Sequence, residues 1–467
     1  MLAVAVACPL LLGAAAAEAL GIARREDGLA WSAWSLALGC GLLGALVFVA
    51  WVSPLTIPAG AVAVVLASLV GSAALSGAAR RRAAPRAPVA ATSAWTRAAR
   101  GERALFWLAL TLVLACAFDL ILDSSARAAC TGDEGHIWSA KAKAMLIAGG
   151  PGDGFAALLS RHGANHHEWA VAHADYPLLN PLLQMWTFQL TGSFAVAAGR
   201  VCVQMFALAG LLALSAGLRR HARPALAAAL LVLVASAEPF RDGLSNACGD
   251  GMLVASTALA CEAWLRARTD STARPRAVVA WGAALALGAW TKNEGVLIAL
   301  AFGAAALVTA RGERRRVALA LLPAAGVAAF TFAFNAAHGL SNDLIVERGE
   351  PFWTRAFEHA GERAVPVADY LAREVLLDSS ASRLLWLAIA LSAVALARLP
   401  RTGALLAPAL ACAAVLAGYA FVFLGTPWEP AYHLRTAAAR IAFHVLPAGA
   451  IWLAAATSEL RVRADSP

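Results

Sequence analysis

Apolar residues in this chain fall in long runs, each about 20 residues, the length a helix needs to cross a hydrocarbon core. A hydropathy pass finds about thirteen of them. They lie near 2–22, 31–53, 55–78, 104–122, 194–218, 224–240, 249–266, 277–292, 295–310, 317–337, 383–398, 404–424 and 440–457. The pattern predicts an all-α polytopic membrane protein, a bundle of about 13 transmembrane helices. Little charge precedes the first run and no small-residue cleavage site follows it, so it reads as a span rather than a removed signal peptide.

The polar positions between the runs give the bundle a direction. Arginine collects in alternate connections: at Arg24 and Arg25, from Arg80 to Arg103, at Arg219, Arg220 and Arg223, from Arg266 to Arg276, and from Arg311 to Arg316. Arg398, Arg401, Arg461 and Arg463 keep the same parity. Cationic connections are retained in the cytoplasm, which puts 123–193, 241–248, 338–382 and 425–439 outside.

Composition agrees, with 60% hydrophobic residues and a mean hydropathy of +0.67. The net charge of +9 is spread over these connections instead of being gathered on one domain, so a nucleic-acid partner is set aside. Of the eight cysteines, only Cys130 and Cys248 fall outside the runs, and nothing in the sequence pairs them. The 338–382 segment, with Asn342, Asp343, Glu347, Arg348, Glu350 and Trp353, reads as a solvated loop carrying a surface helix.

Chemistry concentrates in the first outer segment. It contains CTGDEGHIWSAKAKAM from Cys130 to Met145 and HADYPLLNPLL from His173 to Leu183. A helix over 133–145 would set Trp138, Lys141 and Met145 on one face, lying on the membrane with Lys141 and Lys143 near lipid headgroups. Asp133 and Glu134 at its start suit exposed backbone amides, as capping acids. His173, Asp175 and Tyr176 precede an apolar helix at 181–191, so a second carboxylate reaches the same membrane face.

Separated acids in one cleft suit general base catalysis on a hydroxyl. Cations would be needed if the leaving group were a lipid phosphate, and Lys141, Lys143, Lys292, Arg435 and Arg440 are candidates. Lys292, in WTKNEG at a span end, also reads as a snorkelling lysine. His162, His166, His167 and Glu168 offer metal-ligand residue types, but Gly163 argues for a loop of solvated histidines.

In order, acid-x4-Trp-x2-KAK, then H-x-DYP-x3-P-x-L, then TK-x-EG, resembles the bacterial GT-C-fold glycosyltransferases, multi-span enzymes that use polyprenyl-phosphate sugars. A fourth match, HL-x-T-x3-R followed by Pro, is carried by His433, Leu434, Thr436, Arg440 and Pro447. The resemblance covers about 105–453, and it implies a three-span extension with a basic cytoplasmic loop over 1–103. It further implies a GT-C-like catalytic membrane domain over 104–457, interfacial helices in its first large outer loop, and a cytoplasmic tail over 458–467.

Asp133 would be the catalytic base of an inverting displacement, with Asp175 in the same cleft. Lys292, Glu294, His433 and Arg440 would lie near donor phosphate or sugar, and Lys141, Lys143, His173 and Tyr176 would join them in binding. The chain departs from the pattern at Gly132, Glu134 and His136, so Asp133 and Glu134 can exchange roles. The resemblance leaves a divalent cation, Mg or Mn, open, with Asp133 and Asp175 as its ligands. The implied partners are a polyprenyl-phosphate sugar donor, a lipid, glycan or protein acceptor, and membrane lipids. The implied location is the bacterial inner membrane, with the site facing the periplasm or cell exterior.

A transporter or flippase is the alternative of another class. Transporters place functional charges near the midplane. The ionisable residues inside the runs are chiefly Glu18, Asp119, Arg200 and Glu262, each within about two turns of a run's end, and no repeat relates the two halves. A catalytically inactive relative is a third reading, against which Asp133 and Asp175 both stand.

Overall fold

The computed structural model describes residues 1–22, 24, 25, 27–81, 95, 97–127, 132–160, 173–340, 342, 346, 347, 350–377, 380–397 and 403–464. Cys130, His162, His166, His167, Glu168, Asp343, Arg348, Arg398 and Arg401 lie outside the described residues, and with them the histidine-run metal reading and any pairing of Cys130 with Cys248.

The first two helices, α1 (Leu2–Ala19) and α2 (Gly28–Val52), form a hairpin. Asp27 caps α2 by accepting from the amide of Ala30 at 3.1 Å. The pair closes where Gly13 and Gly39 meet backbone. A Cβ on Gly13 would stand 1.7 Å from the carbonyl oxygen of Ser35, and one on Gly39 1.9 Å from that of Pro9, so only glycine permits this approach. The helices α3 (Ile57–Arg81) and α4 (Arg100–Ala126) follow.

The segment after α4 holds a π-helical turn, Glu134–Ser139, running into α5 (Ala140–Ala148), then α6 (Asp153–Ser160) and α7 (Leu179–Thr191). The chain continues through α8 (Val196–His221), α9 (Pro224–Ala235), α10 (Glu238–Ser245), α11 (Asp250–Thr269), α12 (Arg274–Thr291), α13 (Asn293–Thr309) and α14 (Arg314–Ala337). A two-strand pairing of Val346–Glu347 with Glu350–Pro351 leads to α15 (Phe352–Glu358) and α16 (Ala360–Tyr370). The last helices are α17 (Ser380–Ala397), α18 (Gly403–Leu424), α19 (Pro430–Ala442) and α20 (Leu446–Ala464).

A helix forms at every predicted run. Among the described residues eight helices are long and apolar enough to cross a membrane, or nine if α9 and α10, bent by 68°, form one span. Among the fully described helices, α13 falls short in length and α11 and α12 are more polar. The clearest case is α11, which carries Asp250, Glu262, Arg266 and Arg268 yet is buried from Asp250 to Ala267. Its charges are tolerated because neighbouring helices supply partners. One apolar core runs from Ala5 to Ala456, so the three leading helices pack into the same bundle as the rest.

The helix α11 gives the bundle two chemically distinct ends, about 30 Å apart at 1.5 Å per residue. At one end Asp27 pairs with Arg219 at 2.8 Å and Arg220 at 2.9 Å, and Glu313 with Arg274 at 3.1 Å. The arginine-rich connections thus gather there. The motif-bearing segments gather at the other.

Candidate active site

Tight local geometry positions the motif residues. A Cβ on Gly295 would sit 1.9 Å from the carbonyl oxygen of Gly288, so the glycine of WTKNEG lets α13 turn back against α12 and holds Lys292 and Glu294 in the break. His173 has a positive φ of 50°, uncommon for a residue with a side chain, and its ring stacks on Tyr176 at 4.9 Å. Tyr176 also stacks on Trp138 at 5.3 Å. The rings of His173 and Tyr176, with Trp428 and His433, wall a cleft of about 520 Å³ that Asp133, Lys292, Glu294, Asn293, Asn342, Tyr419 and Arg440 also line.

The electrostatic centre of the cleft is Asp250, which the sequence reading missed. Its Oδ1 lies 3.0 Å from Lys292 Nζ and 2.8 Å from His444 Nε2, and its Oδ2 lies 3.6 Å from Arg440 Nε. His444 is fully buried, and its Nδ1 is 2.9 Å from the Tyr419 hydroxyl. Asp250 accepts from Nε2–H, so Nδ1 accepts from Tyr419 when the ring is neutral. Lys292 also contacts Glu294 at 2.8 Å, and Arg440 Nη1 donates to Asp133 Oδ2 at 2.6 Å. Two cations thus face the cleft, held by acids behind and beside them.

Of the motif residues singled out from the sequence, Asp133, His173, Tyr176, Lys292, Glu294, His433, Thr436 and Arg440 line this cleft. The other candidates sit elsewhere. Glu134 is buried and forms a two-point ion pair with Arg200, both contacts at 2.6 Å, and it accepts from the amide of Ala247 at 2.8 Å. It is not interchangeable with Asp133, because the π-helical turn aims the two acids at different neighbours. Nor does Asp133 cap that turn with its side chain.

Lys141 is fully buried, contrary to its expected place among headgroups, and donates to the carbonyl oxygens of Ala174 (2.7 Å) and Tyr176. Burial pulls its ammonium down to about 7, with the Asp175 carboxylate opposing the shift. Burial also pushes the Tyr176 hydroxyl well above its usual range. Lys143 lies over the Phe194 ring at 5.7 Å. Lys292 is buried and paired, not snorkelling.

Asp175 is buried behind the cleft wall. It accepts from the side-chain amides of Asn293 and Asn342, two residues that do line the cleft. Its influence on a ligand would pass through them. Among the described residues no group of three or more His, Cys, Asp or Glu side chains could hold a metal ion. With Asp133 committed to Arg440 and Asp175 to two amides, these residues do not fit the cation that the resemblance left open.

The missed residues had faint signals. Asp250 stands in CGDG before an apolar run and reads as an ordinary helix start, whereas Asn293 lies inside WTKNEG itself.

No protein-family profile matches the chain, and no curated protein does. Solved structures give two similarities, both to ArnT from Cupriavidus metallidurans. The apo structure matches at 19% identity and a TM-score of 0.47 over 77% of this chain. The structure bound to undecaprenyl phosphate matches at 19% identity and a TM-score of 0.49 over 75% of this chain. The chain spans 60% of the length of each of these structures.

Proposed function

We propose that the chain is a GT-C-type membrane glycosyltransferase that moves a sugar from a polyprenyl-phosphate donor to a lipid, glycan or protein acceptor on the extracytoplasmic face of the bacterial inner membrane. The observation that carries this reading is the convergence, at one end of an apolar bundle, of a part-exposed carboxylate, Asp133, with two cations, Lys292 and Arg440, that a buried Asp250 anchors.

In the proposed reaction Asp133 takes the proton of an acceptor hydroxyl. The acceptor oxygen bonds the anomeric carbon as the bond from that carbon to the phosphate oxygen breaks, inverting the centre. The electron pair leaves on the phosphate, where Lys292 and Arg440 meet the charge. A bound phosphate competes with Asp133 for Arg440, which leaves the carboxylate free to act as base. Asn293 and Asn342, aligned by Asp175, are suited to hydroxyl groups of the sugar, and the stacked rings of His173 and Tyr176 to its apolar face.

Transport is favoured less. Arg200 is spent on Glu134 at the cleft end, and Glu262 pairs with Arg220 at 3.4 Å at the arginine end. The deciding experiment incubates purified protein with a panel of labelled polyprenyl-phosphate sugars and native lipid extract. Transfer from one donor supports the reading. Absence of transfer from every donor, with solute or lipid flux in reconstituted vesicles, overturns it in favour of transport.

A further inference from the structure

The second outer segment, expected to be solvated, turns a large apolar face outward. On α15, Trp353 and Phe357 are 60% and 69% exposed, one helical turn apart, with stacked rings 6.4 Å between centroids. Both pack on Phe421 of α18, at 5.7 and 6.4 Å.

Phe421 ends a stripe. Leu410, Ala414, Ala417 and Phe421 are spaced by four, three and four residues, which puts them on one face of α18. That helix is long and apolar enough to cross a membrane, and the first three of these residues are exposed. Its opposite face presents Tyr419 and Phe423 to the cleft. Trp353 and Phe357 thus continue a lipid-facing surface past the end of a spanning helix, the level at which aromatic side chains collect at membrane interfaces.

The inner side of α15 is tied to the cleft wall. Arg355 is buried, and its Nε donates to the carbonyl oxygen of Gly425 at 3.1 Å. Arg363 of α16 donates to the carbonyls of Leu424 at 3.0 Å and Thr426 at 2.9 Å. These carbonyls lie at the end of α18, where no further helical turn supplies amides.

We propose that α15 is an interfacial anchor whose Trp353 and Phe357 are seated in the outer leaflet, and that through Arg355 and Arg363 it holds the turn after α18 in place at the mouth of the cleft. The occupant of this face is lipid, because the face extends a lipid-facing stripe. Left in water, the rings would keep their apolar surface hydrated, which seating among acyl chains relieves. A lipid-borne molecule diffusing in that leaflet would meet the cleft beside the anchor. The inference does not depend on the glycosyltransferase reading.

The test places a nitroxide at Phe357→Cys and, separately, at Trp353→Cys, in protein whose native cysteines are changed to alanine, reconstituted in phosphatidylethanolamine and phosphatidylglycerol liposomes. Collision rates with molecular oxygen, which partitions into lipid, are compared with those of a water-soluble nickel chelate. Oxygen should dominate at both positions. Dominance of nickel means a solvated loop, and weak collision with both means a protein partner; either overturns the proposal. Should the cysteine-free protein fail to fold, quenching by brominated lipids is compared between the native chain and Trp353→Phe. Loss of a quenchable component is expected, and unchanged quenching overturns the proposal.

Discussion

Arg440 and Asp133, 307 positions apart in sequence, meet at 2.6 Å across the mouth of the cleft. The contact joins the segment after α4 to α19, and it leaves the Asp133 side chain 41% exposed. A carboxylate so exposed is replaceable without disturbing the core. Asp133→Asn should therefore fold normally and lower transfer by about 100- to 10,000-fold, the range for loss of a general base. Initial rates at saturating donor, compared with elution and thermal profiles of the same preparation, check this; normal transfer removes Asp133 from its assigned role.

Asp250 should behave differently. It is 6% exposed and faces Lys292, Arg440 and His444 together. Replacing it with alanine leaves the buried Lys292 short of a counter-charge, a change that costs about 3–5 kcal/mol when one partner of a buried pair is lost. Asp250→Ala should lower the unfolding temperature markedly, whereas Asp250→Asn, which keeps the shape, should weaken donor binding more than it weakens folding. Thermal melts and donor titrations of the two variants separate these effects.

How much of the site the sequence reveals depends on what each residue touches. Lys292, Glu294, His433 and Arg440 stand in motifs whose spacing is visible, and all four reach the cleft. The expectation for Lys141 failed because helical spacing fixes which residues share a face, not whether lipid or the Ala174–Tyr176 backbone covers that face. Asp250 and His444 were hidden for a related reason. Each is a single polar residue near the start of an apolar run, and its importance arises from partners 25 to 194 positions away. The long apolar helices were legible, since such runs have few other ways to satisfy their backbone, whereas the short α6 gave no such signal. Which of them cross the membrane was not, since buried charges in α11 are tolerable only with the pairs that tertiary packing supplies.

Glu134 and Arg200 test the division between the two neighbouring acids. Their side chains are 4% and 3% exposed, and the pair is geometrically well matched. Removing either partner should destabilise the protein by about 3–5 kcal/mol, because the other charge stays buried alone. The double replacement Glu134→Gln with Arg200→Met should cost less than the sum of the single changes. Melting temperatures of the three variants give the coupling. If Glu134→Gln instead abolished transfer with stability unchanged, Glu134 would regain its place as a candidate base.

Lys141 gives the fold a pH dependence of predictable sign. Its ammonium titrates at about 7 in the folded protein, against 10.5 for an ordinary lysine, because burial disfavours the charge. Between these values the unfolded chain holds a proton that the folded chain lacks, so this group's contribution to stability rises with pH across that window. Below about 7 both states are protonated and the dependence vanishes. Tyr176 works in the opposite direction only above its ordinary range near 10, where the unfolded chain loses a proton that the folded chain retains. Buried Cys248, whose thiol burial pushes well above its usual range, also opposes Lys141 once unfolded thiols ionise near 8.5, so the window from about 7 to about 8 is where the Lys141 dependence stands clear. Lys141→Met, which keeps the apolar stem but removes the titrating group, should flatten the rise in melting temperature that the native protein shows there. Parallel curves for the two proteins would mean that the folded chain keeps Lys141 charged, and the Ala174 and Tyr176 carbonyls would then be holding an ammonium rather than an amine.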